Sequence, residues 1–452
     1  MIKKLNYYIA ILTALIFLWV LEFDVLSSIA IGIFAFWISS LIIRVNYSLP
    51  MKELCLSFYG LQYLFSAALT FNGFDIYNIN SHKMKIDSFQ YFTYTIPVFL
   101  AFSWGFNLFN KANHMKINRE RINEWLNKSK NIPYYLMLIG LIIPFISNFI
   151  PKNLVFVTYL LESFKFIGLF ILIMSYQKIK AIMMILVYGL ILINSFQGGM
   201  FHDLLTWLIV LGLILANRYK PNWQAKLIAI ALFSAFAIFI QSIKGGLREK
   251  TWSGDEQASF ELIQNVNTEN TLDKGGFFSR DNLGPQINRI NQGWILASTM
   301  DNVPKNVNHT NGSLILEYLY SALIPRIFAP DKLNAGSQDV FNQYSGHYIE
   351  GATAMSLGLF ADAYIEFGQF GAIIYVLLFG LMYGYVMNQF FIRSNKYPIL
   401  ILFVALAFIY PMRPDCETQT VLGHLFKTIM LLAIIFFFYR KTFELKQPNL
   451  IK

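Results

Sequence analysis

Lys244-Gly245-Gly246-Leu247-Arg248-Glu249 opens, and Glu350-Gly351-Ala352-Thr353-Ala354 closes, a polar stretch that interrupts a chain otherwise built of apolar runs. Residues 244–354 hold 12 of the 26 acidic residues and 9 of the 36 basic ones. Outside them the sequence reads as membrane. Of its 452 residues 56% are hydrophobic, 17% aromatic and only 14% charged, whereas a soluble domain carries about 25% charged residues. Such a chain cannot cover its surface with polar groups, so lipid is the solvent for most of it.

A spanning helix takes about 20 mostly apolar residues. Nine runs before the polar stretch qualify: Tyr7–Phe23, Val25–Ile43, Leu54–Phe71, Phe89–Phe109, Tyr134–Ile150, Leu154–Tyr176, Ala181–Phe196, Leu204–Ala216 and Leu227–Ile243. Phe370–Phe391, Ile399–Pro411 and Val421–Tyr439 follow it. The expected architecture is an all-α polytopic membrane protein with about 12 spans. It has three parts: spans in 1–243, one large loop with short interfacial helices in 244–354, and an interfacial helix with the last spans in 355–452. Met1 to Phe23 is basic then apolar with no small-residue cleavage site, so it reads as a retained first helix.

Charge orients the array. With Met1 inside, the connections on one side hold 21 basic residues, from Lys3 and Lys4 through the run Lys111–Lys130 to Lys452. The short connections on the other side hold four: Lys83, Lys85, Lys152 and Arg413. Positive charge stays on the cytoplasmic side. Both termini are therefore expected in the cytoplasm, with 244–354 outside. The net charge of +10 is then topological and gives no ground for a nucleic-acid partner. No Walker-type phosphate loop occurs, and the cysteines Cys55 and Cys416, placed on opposite faces, suggest no disulfide.

The chemistry-bearing residues gather at the edges of the loop. Gly245 and Gly246 let the chain leave the ninth span sharply. Arg248 beside them is either a snorkelling interface arginine or a fork for lipid phosphate. Arg289, Gln292 and Trp294 lie close together, a weak carbohydrate-like grouping. Glu317, inside the apolar segment Ser313–Leu323, is either a surface acid or a general base with a raised pKa. Ile324-Pro325-Arg326 to Pro330-Asp331-Lys332 frames Arg326 between two prolines, rigid enough to hold a pyrophosphate-recognising group. Asp362 and Glu366 share a helix face with Met355 and Leu359. They are either solvated at the interface or act as a base and orient the loop arginines. Glu162 and Lys165 have i,i+3 spacing and can pair. Arg413 and Asp415 can join the same external cleft. The histidines fit no zinc pattern.

Several of these features together resemble the Wzy-type O-antigen and oligosaccharide repeat-unit polymerases. The likeness rests on many helices, cytoplasmic ends and one large late external loop. It rests also on Ile324-Pro325-Arg326 to Pro330-Asp331-Lys332, and on the run from Thr353-Ala354-Met355 through Gly358-Leu359-Phe360-Ala361-Asp362-Ala363-Tyr364-Ile365-Glu366-Phe367-Gly368 to Gly371. The spaced Arg-to-Gly pattern of some members is not legible here. The resemblance implies a membrane glycosyltransferase of the metal-independent GT-C-like branch, with no cofactor. It would transfer a glycan from undecaprenyl pyrophosphate to a newly delivered lipid-linked repeat, building O-antigen or capsule. Its implied partners are that donor and acceptor, membrane lipids and a chain-length regulator protein. Arg248, Arg289, Arg326 and Arg413 would stabilise the pyrophosphate leaving group. Glu317, Asp362 or Glu366 would activate the acceptor hydroxyl. A lipid-linked oligosaccharide flippase or other transporter is the main competitor; it wants charge buried in the membrane, for which Glu162 and Lys165 speak. A lipid-monophosphate sugar transferase and an acyltransferase using His202 or His309 are the others.

Overall fold

A computed structural model describes residues 4–74, 82–109, 116–151, 154–176, 181–198, 201–252, 290–326, 328–350 and 354–445. Among them every regular element is helical: α1 (Leu5–Trp19), α2 (Val25–Arg44), α3 (Met51–Gly73), α4 (Ser88–Leu108), α5 (Arg119–Lys128), α6 (Ile132–Ile146), α7 (Val155–Met174), α8 (Ala181–Gly198), α9 (His202–Tyr219) and α10 (Trp223–Trp252). Within the polar stretch lie α11 (Gly293–Asn302), α12 (Ser313–Leu323) and α13 (Gln338–Ser345), and after it come α14 (Leu359–Ser394), α15 (Pro398–Phe408), α16 (Thr418–Phe438) and α17 (Arg440–Phe443). Six of them, α2, α3, α7, α10, α14 and α16, are long and apolar enough to cross a membrane. The pair α5–α6, bent by 85°, makes a seventh if it is one span. The chain is an all-α integral membrane protein.

Local chemistry sets the helix ends. Asp24 starts α2 by accepting from Ser27 N at 2.9 Å, and Asp87 starts α4 by accepting from Gln90 N at 2.9 Å. The last carbonyls of α7 receive two arginines. Arg119 donates to Met174 O (3.0 Å) and Ser175 O (3.1 Å), and Arg218 donates to Ile173 O and Ser175 O. Cations at a helix C-terminus satisfy both the orphan acceptors and the dipole.

The centre of the bundle is α4 against α14. Gly380 and Gly384 form a G-x-x-x-G pair there, and a Cβ on Gly380 would run into Phe102 O. Without side chains at those points the two backbones touch, the close approach that membrane helices use in place of a hydrophobic drive. α3 completes the core. It carries π-helical turns at Gly60–Phe65 and Thr70–Phe74.

α14 is two helices. At Gly368 the backbone turns to φ 64°, ψ −162°, a conformation open to glycine and not to L side chains. The arm 359–367 therefore folds back into the bundle. Phe360 near its start stacks on Tyr63 with centroids 4.6 Å apart, and lies 5.4 Å from Tyr59 and 6.1 Å from Phe102. Phe102 is six residues from the end of α4, about 9 Å at 1.5 Å per residue. The arm thus begins deep in the bundle, and the chain rises along it to Gly368 before descending again.

Three sequence expectations change here. α10 runs through Gly245 and Gly246 to Trp252, so the glycines do not end it. Asp362 and Glu366 are fully buried, not solvated at an interface. The cysteines are not held on opposite faces: Cys55 Sγ lies 3.8 Å from Pro411 O, five residues before Cys416. The last two corrections share a cause. The loop 409–417 dips into the bundle toward the start of the re-entrant arm, and Tyr63 Oη donates to Pro414 O at 3.1 Å.

Candidate functional site

Two chain segments meet at that depth, residues 354–358 leading into the re-entrant arm and residues 409–417 leading into α16. Beside them opens a cavity of about 610 Å³, walled by α11, α12 and α16. Its polar lining includes Gln292, Ser321, Arg413, Asp415, Gln419 and Lys427.

Arg413 is clamped by Asp415, its Nη2 donating to Oδ2 at 2.8 Å and its Nε to Oδ1 at 3.3 Å. It also lies 5.3 Å from the Tyr410 ring. Their side chains are 18% and 36% exposed, the open part facing the cavity. Burial raises the Asp415 carboxyl, but the Arg413 guanidinium outweighs it and holds it below the ordinary carboxylate range. Lys427 lies 4.5 Å from the Phe156 ring centroid, and among the described residues it makes no ion pair. Arg326 and Lys332 add their fields nearby: burial first, then Lys427 and Arg326, push the Lys332 ammonium below its ordinary value.

Three side-chain atoms of the lining are buried with no hydrogen-bond partner among the described residues: Ser321 Oγ, Gln419 Oε1 and His424 Nδ1. Buried polar atoms are ordinarily paired. Three orphans on one wall, beside two cations, suit a ligand that carries both anionic oxygens and hydroxyl groups.

The carboxylates of the re-entrant arm hold this wall from behind. Asp362 accepts from Thr418 N, the first residue of α16, at 2.7 Å, and from Tyr318 Oη at 3.4 Å. Glu366 accepts from Thr310 Oγ1 (2.6 Å), Gly312 N (2.7 Å) and Ile315 N at the start of α12. Each acid thus meets the positive end of a different helix. The arm's own last carbonyls, Ile365 O and Glu366 O, accept from Thr310 N and Asn311 N at 3.0 Å. Glu417 accepts from Gly336 N at 2.6 Å; its carboxyl is pushed up by burial, an effect that Gly336 N and Thr420 offset in part.

A family described as a domain of unknown function (DUF8712) matches residues 54–397. The chain belongs to the DUF8712 family. The matched range runs from α3 to the residue before α15, taking in Gln292, Ser321 and the re-entrant arm and ending ahead of Arg413 and α16. No curated protein and no solved structure matches the chain.

Of the seven catalytic and pyrophosphate-binding candidates read from the DUF8712 sequence, Arg413 alone lines the cavity among the described residues, together with Gln292 and Asp415, which the sequence also singled out. Arg326 is bound into its own turn, donating to Pro330 O (3.0 Å), Leu333 O (3.5 Å) and Asn334 Oδ1 (2.8 Å). Glu317 is on the exposed face of α12. Asp362 and Glu366 lie behind the wall, and Arg289 and the side chain of Arg248 lie outside the described residues. Trp294 is buried between His82 and His347, with centroids 4.6 and 5.2 Å away, so its ring is no open sugar platform. Glu162 and Lys165 do pair, at 2.6 Å. Among the described residues no group of three or more His, Cys, Asp or Glu is placed to hold a metal. Sequence reasoning gave no site role to Gln419 and Lys427. Their signal was polar residues recurring on one face of an apolar helix, Gln419 and Lys427 two turns apart with Gly423 between them.

Proposed function

We propose that this protein is a membrane glycosyltransferase that polymerises undecaprenyl-pyrophosphate-linked oligosaccharide repeats into a surface polysaccharide at the outer face of the inner membrane. The observation that carries this reading is the cavity, with Arg413 and Lys427 beside three unpaired buried polar atoms. Its cations suit a pyrophosphate that becomes a leaving group, and its polar side chains, Gln292, Ser321 and Gln419 among them, suit sugar hydroxyls. Asp415, the one carboxylate in the lining among the described residues, orients Arg413 and is the nearest candidate to accept the proton of the attacking hydroxyl. A GT-C-like arrangement of about 12 spans with both termini cytoplasmic belongs to the same reading. The resemblance to the Wzy-type polymerases and the depth of the two entering loops support it.

The test supplies lipid-pyrophosphate-linked repeats to purified protein and looks for a ladder of lengthened chains. Wild type is expected to make one. Arg413→Ala and Lys427→Met are each expected to cut lengthening at least a hundredfold with the protein still folded. Normal ladders from both variants would remove the cavity from the reaction. A second reading, a lipid-linked oligosaccharide flippase, draws on the pair Lys165–Glu162, whose lysine is 1% exposed within α7. It is favoured if the protein moves the lipid across vesicle bilayers and makes no ladder.

A further inference from the structure

At the other end of the bundle lies a second cavity, of about 400 Å³, lined by Lys116, Asn118 and Arg121 on one side and Phe391, Ser394 and Asn395 on the other, with Pro398 and Ile401 beneath. It shares no lining residue with the first cavity. α5 forms one wall. It turns 85° from α6 and lies across the bundle end, its Ile122, Trp125 and Leu126 buried at i, i+3 and i+4. It is fastened there: Trp125 Nε1 donates to Thr442 O at 2.9 Å, and the Trp125 ring stacks on Phe443 with centroids 6.2 Å apart. Arg119 is engaged at the end of α7, while Lys116, ahead of the helix, and Arg121, two residues beyond Arg119, line the cavity.

We propose that this cavity binds the phosphodiester headgroup of an anionic phospholipid from the adjoining leaflet. Two features favour a lipid over a soluble phosphate. The cavity is amphiphilic, with cations and amides at one part and Phe391, Pro398 and Ile401 at another. It also ends a bilayer-facing stripe: Leu378, Tyr385 and Ile392 are all exposed on α14 and sit seven residues, about two turns, apart. An acyl chain on that stripe places its headgroup beside Lys116 and Arg121, where each cation near a membrane surface contributes on the order of tenfold or less to anionic-lipid affinity.

The experiment follows the thermal unfolding midpoint of the full chain in neutral detergent. Dioleoyl phosphatidylglycerol, dioleoyl phosphatidylcholine and glycerol 1-phosphate are titrated separately. Phosphatidylglycerol alone is expected to raise the midpoint. The double variant Lys116→Ala, Arg121→Gln is expected to need about tenfold more of it for half the effect. Should that variant not fold, Lys116→Glu, at an exposed side chain, carries the same expectation. An equal response to phosphatidylcholine overturns the proposal, as does an unchanged response in the variant. A matching response to glycerol 1-phosphate overturns the lipid assignment and marks the site as one for soluble phosphate.

Discussion

Glu366 shows how residue type and residue role part company. In the sequence it is a carboxylate entering a membrane helix, and chemistry is the natural explanation for such a cost. In the structure its oxygens accept from Thr310, Gly312 and Ile315, which commits its lone pairs to the fold. Hydrogen bonds to a charged group are worth about 1.5–3 kcal/mol each, so Glu366→Gln is expected to destabilise the protein by about 2 kcal/mol in a detergent unfolding measurement, and its ladder to persist at temperatures where it stays folded. Loss of the ladder at full stability would return Glu366 to the chemistry. Asp415 and Glu417 offer a pH test of opposite sign. Asp415, held below the ordinary carboxylate range beside Arg413, contributes stability that is present above its unfolded value and lost as pH falls through its folded one. Glu417 is pushed up by burial, so between its ordinary and its raised value the folded state binds more protons and stability falls as pH rises. Glu417→Gln, which keeps an acceptor for Gly336 N, is expected to flatten that decline; equal slopes in the two proteins would mean that another group titrates there.

Elements are legible where they are one-dimensional. The sequence predicts Val25–Ile43 and the structure has Val25–Arg44, because a run of apolar residues of the right length needs no partner to be recognised. The re-entrant arm is not legible as such. Its residues read in sequence as an interfacial approach to a span starting at Phe370, since the reversal depends on a single backbone angle at Gly368. Likewise Ile399–Pro411 has the composition of a span, whereas α15 stops at Phe408 and leaves Arg413 at the end of a loop inside the bundle. The polar face of α16 is visible in the sequence but has no meaning until α12 is laid against it. The α4–α14 contact yields an element-scale prediction. Gly380→Val forces side-chain atoms into the Phe102 carbonyl, and overpacking of this kind costs about 1–3 kcal/mol. It is expected to lower the unfolding midpoint, whereas the same change at Gly189, whose added Cβ meets nothing within 4 Å, is expected to leave it unmoved. Equal effects at both sites would mean that α4 and α14 are not in backbone contact.

For the molecule as a whole, the two ends differ in charge. The basic end carries α5, Arg44 and Lys220; the other carries α11 to α13 and the first cavity. The charge rule makes Lys220→Cys reactive from the cytoplasm and Asn334→Cys reactive from outside, in whole cells treated with an impermeant thiol reagent. Labelling of Lys220→Cys in intact cells would invert the array and put the large cavity on the cytoplasmic side, where a nucleotide-free polymerase reading loses its setting.

The two capping acids of the re-entrant arm have a mechanical consequence. Ser321 on α12 and Gln419 on α16 both line the cavity, and the starts of those two helices are gripped by Glu366 and Asp362, one turn apart on a single short helix. That arm works as a caliper. Two acids outside the cavity lining thus fix the starts of two helices that line it, and both grips share one root at residues 354–358.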